Sequence, residues 1–189
     1  MSIFHDMHAF AARARARLSA DAPRLDGDLR PAAVLVPVID RHPVPTILLT
    51  MRPLSMPHHA GQVSFPGGVM ERGETPMRAA LREAREETGL APEMADPLGF
   101  LPARPTGTGF CVAPLVARID PSFAPAPCPR EVEEVFEIPL PDLMNPDGHA
   151  REYIHTRDGM RVYWVMRHDG RRVWGATAAM LRALWERLS

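Results

Sequence analysis

The chain has 189 residues, 46% of them hydrophobic and 24% charged, with a formal net charge of -1. That length supports a single core that folds without a disulfide or structural metal, and the near-neutral balance argues against a protein that coats nucleic acid. All 22 basic residues are arginine, so any phosphate-binding cation is arginine, histidine or a bound metal.

At the N-terminus, Phe4, Met7, Phe10, Ala11, Ala14 and Leu18 recur at helical spacing and predict a packed amphipathic helix. Arginines at 13, 15 and 17 interrupt the apolar core that a signal peptide requires, and no stretch approaches the ~20 apolar residues of a membrane span. The expectation is a cytoplasmic protein with a small-molecule substrate and neither nucleic-acid nor membrane partners. Residues 1–30 read as this helix and a connecting loop, and residues 31–189 as the main domain.

Two runs, 32–40 and 45–52, read as adjacent strands separated by the breaker-rich turn at 41–44. Gln62 to Phe65 fits a further short strand. From Pro76 to Thr88 the chain carries its best helix signal: Thr75 suits the N-cap, Pro76 the first turn and Gly89 the left-handed residue past the end. Residues 97–103 and 110–119 read as strands around the loop 104–109. A strand over 131–140 runs into a short helix or turn. Strand candidates at 149–156, 160–167 and 171–175 follow, and residues 176–188 form a closing helix. Mostly hairpin-like connections favour one sheet covered by helices on both faces over a parallel βαβ array. Cys111 and Cys128 lack metal or redox spacing and read as idle thiols.

On a helical wheel, Met77, Leu81, Ala84 and Thr88 fall together beside Ala80, which predicts the buried face. Glu83, Glu86 and Glu87 share another arc, segregated from Arg78, Arg82 and Arg85. Carboxylates at i and i+4 repel by roughly 0.2–0.5 kcal/mol, and the negative end of the helix dipole disfavours them further. A divalent cation would reverse that sign; a solvated face with pairs such as Arg82–Glu86 is the plainer alternative.

Residues 68–90 decide between these. Gly68, Glu74, Arg82, Glu83, Ala84, Glu86, Glu87, Gly89 and Leu90 resemble the Nudix box at every defined position. The resemblance implies an α/β fold, a Nudix-type α/β/α sandwich with a mixed central sheet, and hydrolysis of a nucleoside diphosphate derivative with Mg²⁺ or Mn²⁺. It further implies metal binding by Glu83, Glu86, Glu87 and the Gly68 carbonyl, with Arg82 orienting them and Glu74 as structural support. The general base is left among Glu83 and Glu86 in the box and Glu131, Glu133 and Glu134 beyond it. It also leaves room for a homodimer.

Just upstream, Leu48, Leu49, Thr50, Arg52, His59, Gly61, Gln62, Val63, Ser64, Phe65, Pro66, Gly67 and Gly68 resemble the motif of coenzyme A pyrophosphatases. Pro53 departs from it, replacing a serine and removing an amide donor; Met56 replaces a leucine. The resemblance implies cleavage of coenzyme A or a derivative to 4'-phosphopantetheine, or its acyl form, and adenosine 3',5'-bisphosphate. Arg52, His59 and Gln62 are the expected substrate contacts. The alternatives are another nucleoside diphosphate derivative, such as ADP-ribose, NADH or an oxidised nucleotide, and a non-catalytic nucleotide-binding module.

Overall fold

Alternating apolar residues build two sheets in the computed structural model, which describes residues 2–53, 61–156 and 159–189. The main sheet contains β1 (Arg30–Ile39), β2 (Thr46–Met51), β3 (Val63–Ser64), β4 (Gly67–Val69), β5 (Ala95–Phe100), β6 (Arg104–Pro105), β7 (Phe110–Ile119) and β8 (Glu134–Pro139). Its spine runs in the order β3-β2-β1-β7-β5, with β4 paired to β1, β6 to β7 and β8 to β2. Only β1 and β7 pair in parallel, in register from Arg30 opposite Phe110 to Ile39 opposite Ile119. Covered on both faces, these two strands are almost continuously apolar, as parallel central strands must be.

Side-chain alternation divides the core into two layers. Val36, Val38, Ile47, Leu49 and Val116 face α1 (Met7–Arg17) and α4 (Gly175–Leu188). Ala33, Leu35, Leu48, Ala113 and Leu115 face α2 (Pro76–Thr88). The result is the expected α/β/α sandwich around a mixed sheet. No helix among the described residues is long and apolar enough to cross a membrane.

The N-terminal stripe packs as its spacing predicts: all six apolar residues are buried in the layer that also holds α4. Asp6 caps α1 by accepting from the Ala9 amide at 2.7 Å, and Arg13 Nε donates to the Leu188 carbonyl at 3.1 Å. Three features differ from the sequence reading. The last three strands, β9 (Ala150–Thr156), β10 (Gly159–His168) and β11 (Arg171–Trp174), form a separate antiparallel sheet rather than joining the main one. Part of the expected loop, Arg104–Pro105, pairs with Val112 and Cys111.

The third difference bears on the site. The buried residues of α2 are Ala79, Ala80, Ala84, Glu87 and Thr88, whereas Met77 is exposed and Leu81 only partly covered. The inward face is therefore centred near Ala80 and Glu87. Small alanines let the helix lie close to the sheet, and that approach, rather than bulky side chains, decides which residues are covered.

Candidate active site and metal centre

Local chemistry fixes both ends of α2. Thr75 accepts from the Arg78 amide at 3.3 Å, a cap worth about 1 kcal/mol, and Pro76 occupies the first turn. Gly89 takes φ +75°, a left-handed conformation with little cost for glycine. Beyond it, residues 120–133 fold back over the helix end. The amides of Ala126 and Cys128 donate to the carbonyls of Thr88 and Glu87 at 2.8 and 3.1 Å, satisfying acceptors that the helix leaves open.

At the sheet, β4 places Gly67 and Gly68 opposite Val34 and Ala33 of β1. A side chain at Gly67 would collide with fixed backbone, and one at Gly68 would have to displace the Glu83 carboxyl group. A Cβ on Gly67 would lie 2.5 Å from the Ala33 carbonyl oxygen, and one on Gly68 would lie 2.5 Å from the carboxyl group of Glu83. The Glu83 carboxylate thus packs against bare backbone, and Glu87 Oε2 accepts from the Gly67 amide at 3.2 Å.

Arg82 ties the cluster together. Its Nε and Nη2 donate to the two oxygens of Glu74, each at 3.0 Å, while Nη1 reaches Glu83 at 2.8 Å and Glu86 at 3.2 Å. Nη2 also donates to the Val69 carbonyl at 3.1 Å. Glu74 accepts in turn from the Glu71 amide at 2.9 Å. The Arg82 bond holds the Glu74 carboxyl below its ordinary range, so Glu74 is a fixed anion that aims the guanidinium.

The remaining carboxylates differ in how far burial opposes their charge. Burial, reinforced by the charges of Glu83 and Glu131, pushes Glu87 up to about 8 despite the Gly67 amide and the nearby Arg52 charge. Burial also raises Glu83, against the opposing pull of Arg82. Glu86 is the exposed member, with 49% of its side chain accessible.

Of the three later glutamates, Glu131 is close enough for its charge to act on both Glu83 and Glu87. A turn in which the Glu131 and Val132 amides donate to the Cys128 carbonyl carries it there, with Val132 as a buried anchor. Glu134 is committed to a two-bond ion pair with Arg171 at 2.6 and 2.7 Å. Glu133 is exposed.

A cleft of about 900 Å³ opens on the other side of the glycine strand. Arg30, Ala32 and Val34 of β1 and Phe110 and Val112 of β7 line it, as do Gly67, Gly68 and Val69. Two of the expected substrate contacts, Arg52 and Gln62, line it too; the Arg52 amide donates to the Gln62 carbonyl at 3.1 Å. His59 lies outside the described residues. The sequence reading missed Arg30, Thr106, Phe110 and Trp174 as cleft residues, because 104–109 read as a connector and 171–175 as a closing strand. A smaller depression of about 500 Å³ over Arg78, Arg82, Arg85 and Glu86 has one carboxylate and no glycine strand, so it offers a cation much less.

Residues 29–158 match the NUDIX domain family. The chain belongs to the Nudix family. It is 41% identical over 156 residues to a Cronobacter sakazakii protein named "Uncharacterized Nudix hydrolase NudL", spanning 82% of this chain and 81% of the relative. A Klebsiella pneumoniae protein of the same name is 40% identical over the same shares. Among solved structures, the Nudix hydrolase RenU from M. smegmatis aligns with a TM-score of 0.54 at 21% identity, covering 84% of this chain and 83% of that one. The NUDIX domain of Shewanella oneidensis NrtR, complexed with ADP ribose, aligns at 0.55 and 17%, covering 85% and 89%. These two likenesses concern the fold.

Nudix hydrolases generally use divalent metal ions, and the donor chemistry here fits one. Glu83 and Glu87 are oxygen donors that burial makes costly to ionise, Glu83 only partly offset by Arg82, and a hard cation would favour their charged forms. Among the described residues no three acidic, histidine or cysteine side chains converge on one point.

Proposed function

We propose that this Nudix protein hydrolyses the pyrophosphate bond of coenzyme A or a derivative, with Mg²⁺ or Mn²⁺ held by Glu83, Glu86, Glu87 and the Gly68 carbonyl. One observation carries the reading: the segment resembling coenzyme A pyrophosphatases and the box glutamates meet at the same two glycines, Gly67 and Gly68, beside one cleft.

When bound, the cation would neutralise pyrophosphate charge and lower the pKa of an attacking water. The protein's own groups set the geometry. Arg82, aimed by Glu74, holds Glu83 and Glu86 in place. Arg52 supplies positive charge beside Glu87, and Gln62 supplies an amide for hydrogen bonding to substrate. A carboxylate of this cluster, Glu83, Glu86 or Glu131, receives the proton from water. Pro53 offers no amide, so substrate contact at that position passes to its neighbours.

Turnover of coenzyme A, ADP-ribose, NADH and an oxidised nucleotide, measured side by side with Mg²⁺ and Mn²⁺, tests the substrate. The expected result is a higher kcat/KM for coenzyme A than for the other three. Faster cleavage of ADP-ribose would overturn the assignment, and tight binding without turnover of any compound would indicate a nucleotide-binding module.

A further inference from the structure

The apolar face of the sheet beneath α1 and α4 continues past those helices. Val36, Val38 and Val116 lie in that layer, and the same face runs on through Ala32, Val34 and Val112 to form the floor of the cleft. Gly68 stands at the level of Ala33, where the floor meets the glycine strand. Arg30 and its register partner Phe110 stand three residues further along, about 10 Å on an extended strand.

Two aromatic residues flank this floor from opposite sides. Phe110 comes from β7, beside the loop whose Thr106 hydroxyl accepts from the Phe110 amide at 3.1 Å. The Arg30 guanidinium lies 5.0 Å from the centroid of the Phe110 ring, so two planar groups stand together at this end. Trp174 leads into α4, whose Thr177 Oγ1 donates to the Val63 carbonyl of β3 at 3.2 Å. In the sheet, β3 and β7 lie on opposite sides of β1. The Tyr163 ring centroid is 5.5 Å from that of Trp174, and the Arg172 guanidinium is 5.1 Å from it; neither residue lines the cleft, so both hold the indole from outside.

Phe110 and Trp174 are each only partly buried, and among the described residues no carboxylate lines the cleft. An apolar floor between aromatic residues suits a flat, uncharged ring system, and bases stack on aromatic rings and on guanidinium planes. The distance from the glycine strand to Phe110 matches the reach of a ribose and its base from the phosphate that carries them. A pantetheine arm is longer and has no ring to stack.

We infer that Phe110 and Trp174 form a nucleobase subsite, in which the base of the substrate's nucleotide half lies over Ala32, Val34 and Val112 while the pyrophosphate lies at Gly67 and Gly68. The inference rests on the proposed pyrophosphatase reading and orients the substrate within it: the nucleotide half runs along β1 toward Phe110.

Tryptophan fluorescence with Mg²⁺ present reads the base at this position, because Trp164 and Trp185 both pack on Arg182 and do not line the cleft. AMP and adenosine 3',5'-bisphosphate should change the emission of the natural protein, and ribose 5-phosphate and 4'-phosphopantetheine should leave it nearly unaltered. Trp174→Phe should remove most of the change. In steady-state kinetics with coenzyme A, Phe110→Leu and Trp174→Leu should each raise KM roughly 10-fold, with a much smaller change in kcat. Trp174→Phe, which keeps a ring, should recover most of that loss. Unfolding midpoints without ligand show that the variants fold; should a leucine variant not fold, the ligand series and Trp174→Phe still decide.

Equal responses to AMP and ribose 5-phosphate, or KM values unchanged in folded leucine variants, overturn the subsite. A response to 4'-phosphopantetheine alone places the other half of the substrate there and overturns it as well. Should coenzyme A not be cleaved, the substrate reading fails on its own. The subsite then stands if AMP gives the Trp174-dependent change, and falls if it gives none.

Discussion

Replacing Glu87 with glutamine removes a charge while keeping size and the acceptor for the Gly67 amide. Glu87 is 8% exposed, and its pKa is pushed up to about 8 from an ordinary 4.5. The folded protein therefore holds a proton that the unfolded chain releases. This group's stabilising contribution is fully present below about pH 4.5 and is lost as pH rises to about 8. At pH 7 the loss amounts to about 3.5 kcal/mol, taking about 1.4 kcal/mol per pH unit between 4.5 and 7. Glu87→Gln should therefore be more stable at pH 7 without metal, by on the order of 5–10 °C in Tm for a domain of this size. It should also lose what the cation adds: about 2.7 kcal/mol for the natural protein at a metal concentration 100 times its Kd. Differential scanning fluorimetry from pH 5 to 8, with and without Mg²⁺, reads both effects, and a coupled assay reads the expected loss of turnover. If variant and natural protein show the same pH slope and the same metal-induced shift, Glu87 is neither the strained carboxyl nor a ligand.

Other consequences follow from the same geometry. Arg82→Lys cannot bond both oxygens of Glu74 while reaching Glu83, Glu86 and the Val69 carbonyl, so kcat should fall roughly 10- to 100-fold with a smaller change in KM. Because Glu74 acts through Arg82, adding Glu74→Gln to that variant should cost much less than Glu74→Gln does alone; full additivity in kcat would show that they work separately. Arg41 donates to both oxygens of Glu137 and to the carbonyls of Pro121 and Phe123, anchoring the start of the segment that carries Glu131. Although burial raises the Glu137 carboxyl, Arg41 and Thr46 outweigh it and hold the group below its ordinary range. Arg41→Ala should thus cost about 1–3 kcal/mol in urea unfolding and lower turnover as well, whereas an unchanged midpoint would refute the anchoring role.

Much of this architecture is written in local sequence. The N-terminal stripe, the Thr75–Pro76 start and Gly89 end of α2, and the pairing of β1 with β2 all follow from periodicity and turn chemistry. The inward face of α2 did not, because a wheel scored by hydrophobicity counts Glu87 as solvent-facing. Ala79, Ala80 and Ala84 bring the helix close enough to cover it, and only tertiary approach reveals this. The separate sheet of β9, β10 and β11 was equally hidden, since alternation shows that a strand exists but not which sheet it joins. Box residues could be picked out by resemblance, and their meeting at Gly67 and Gly68 adds the geometry. The distal end of the cleft carried no motif: Arg30 and the 104–109 loop are brought together only by the pairing of β1 and β6 with β7.

The central claim concerns which bond is broken. Incubating the protein with coenzyme A and Mg²⁺ in water enriched in heavy oxygen, then weighing the products, tests it directly. The account expects 4'-phosphopantetheine and adenosine 3',5'-bisphosphate, with one heavy oxygen in one of them, and no reaction when Mg²⁺ is chelated. Intact coenzyme A, or heavy oxygen appearing in inorganic phosphate, would contradict it.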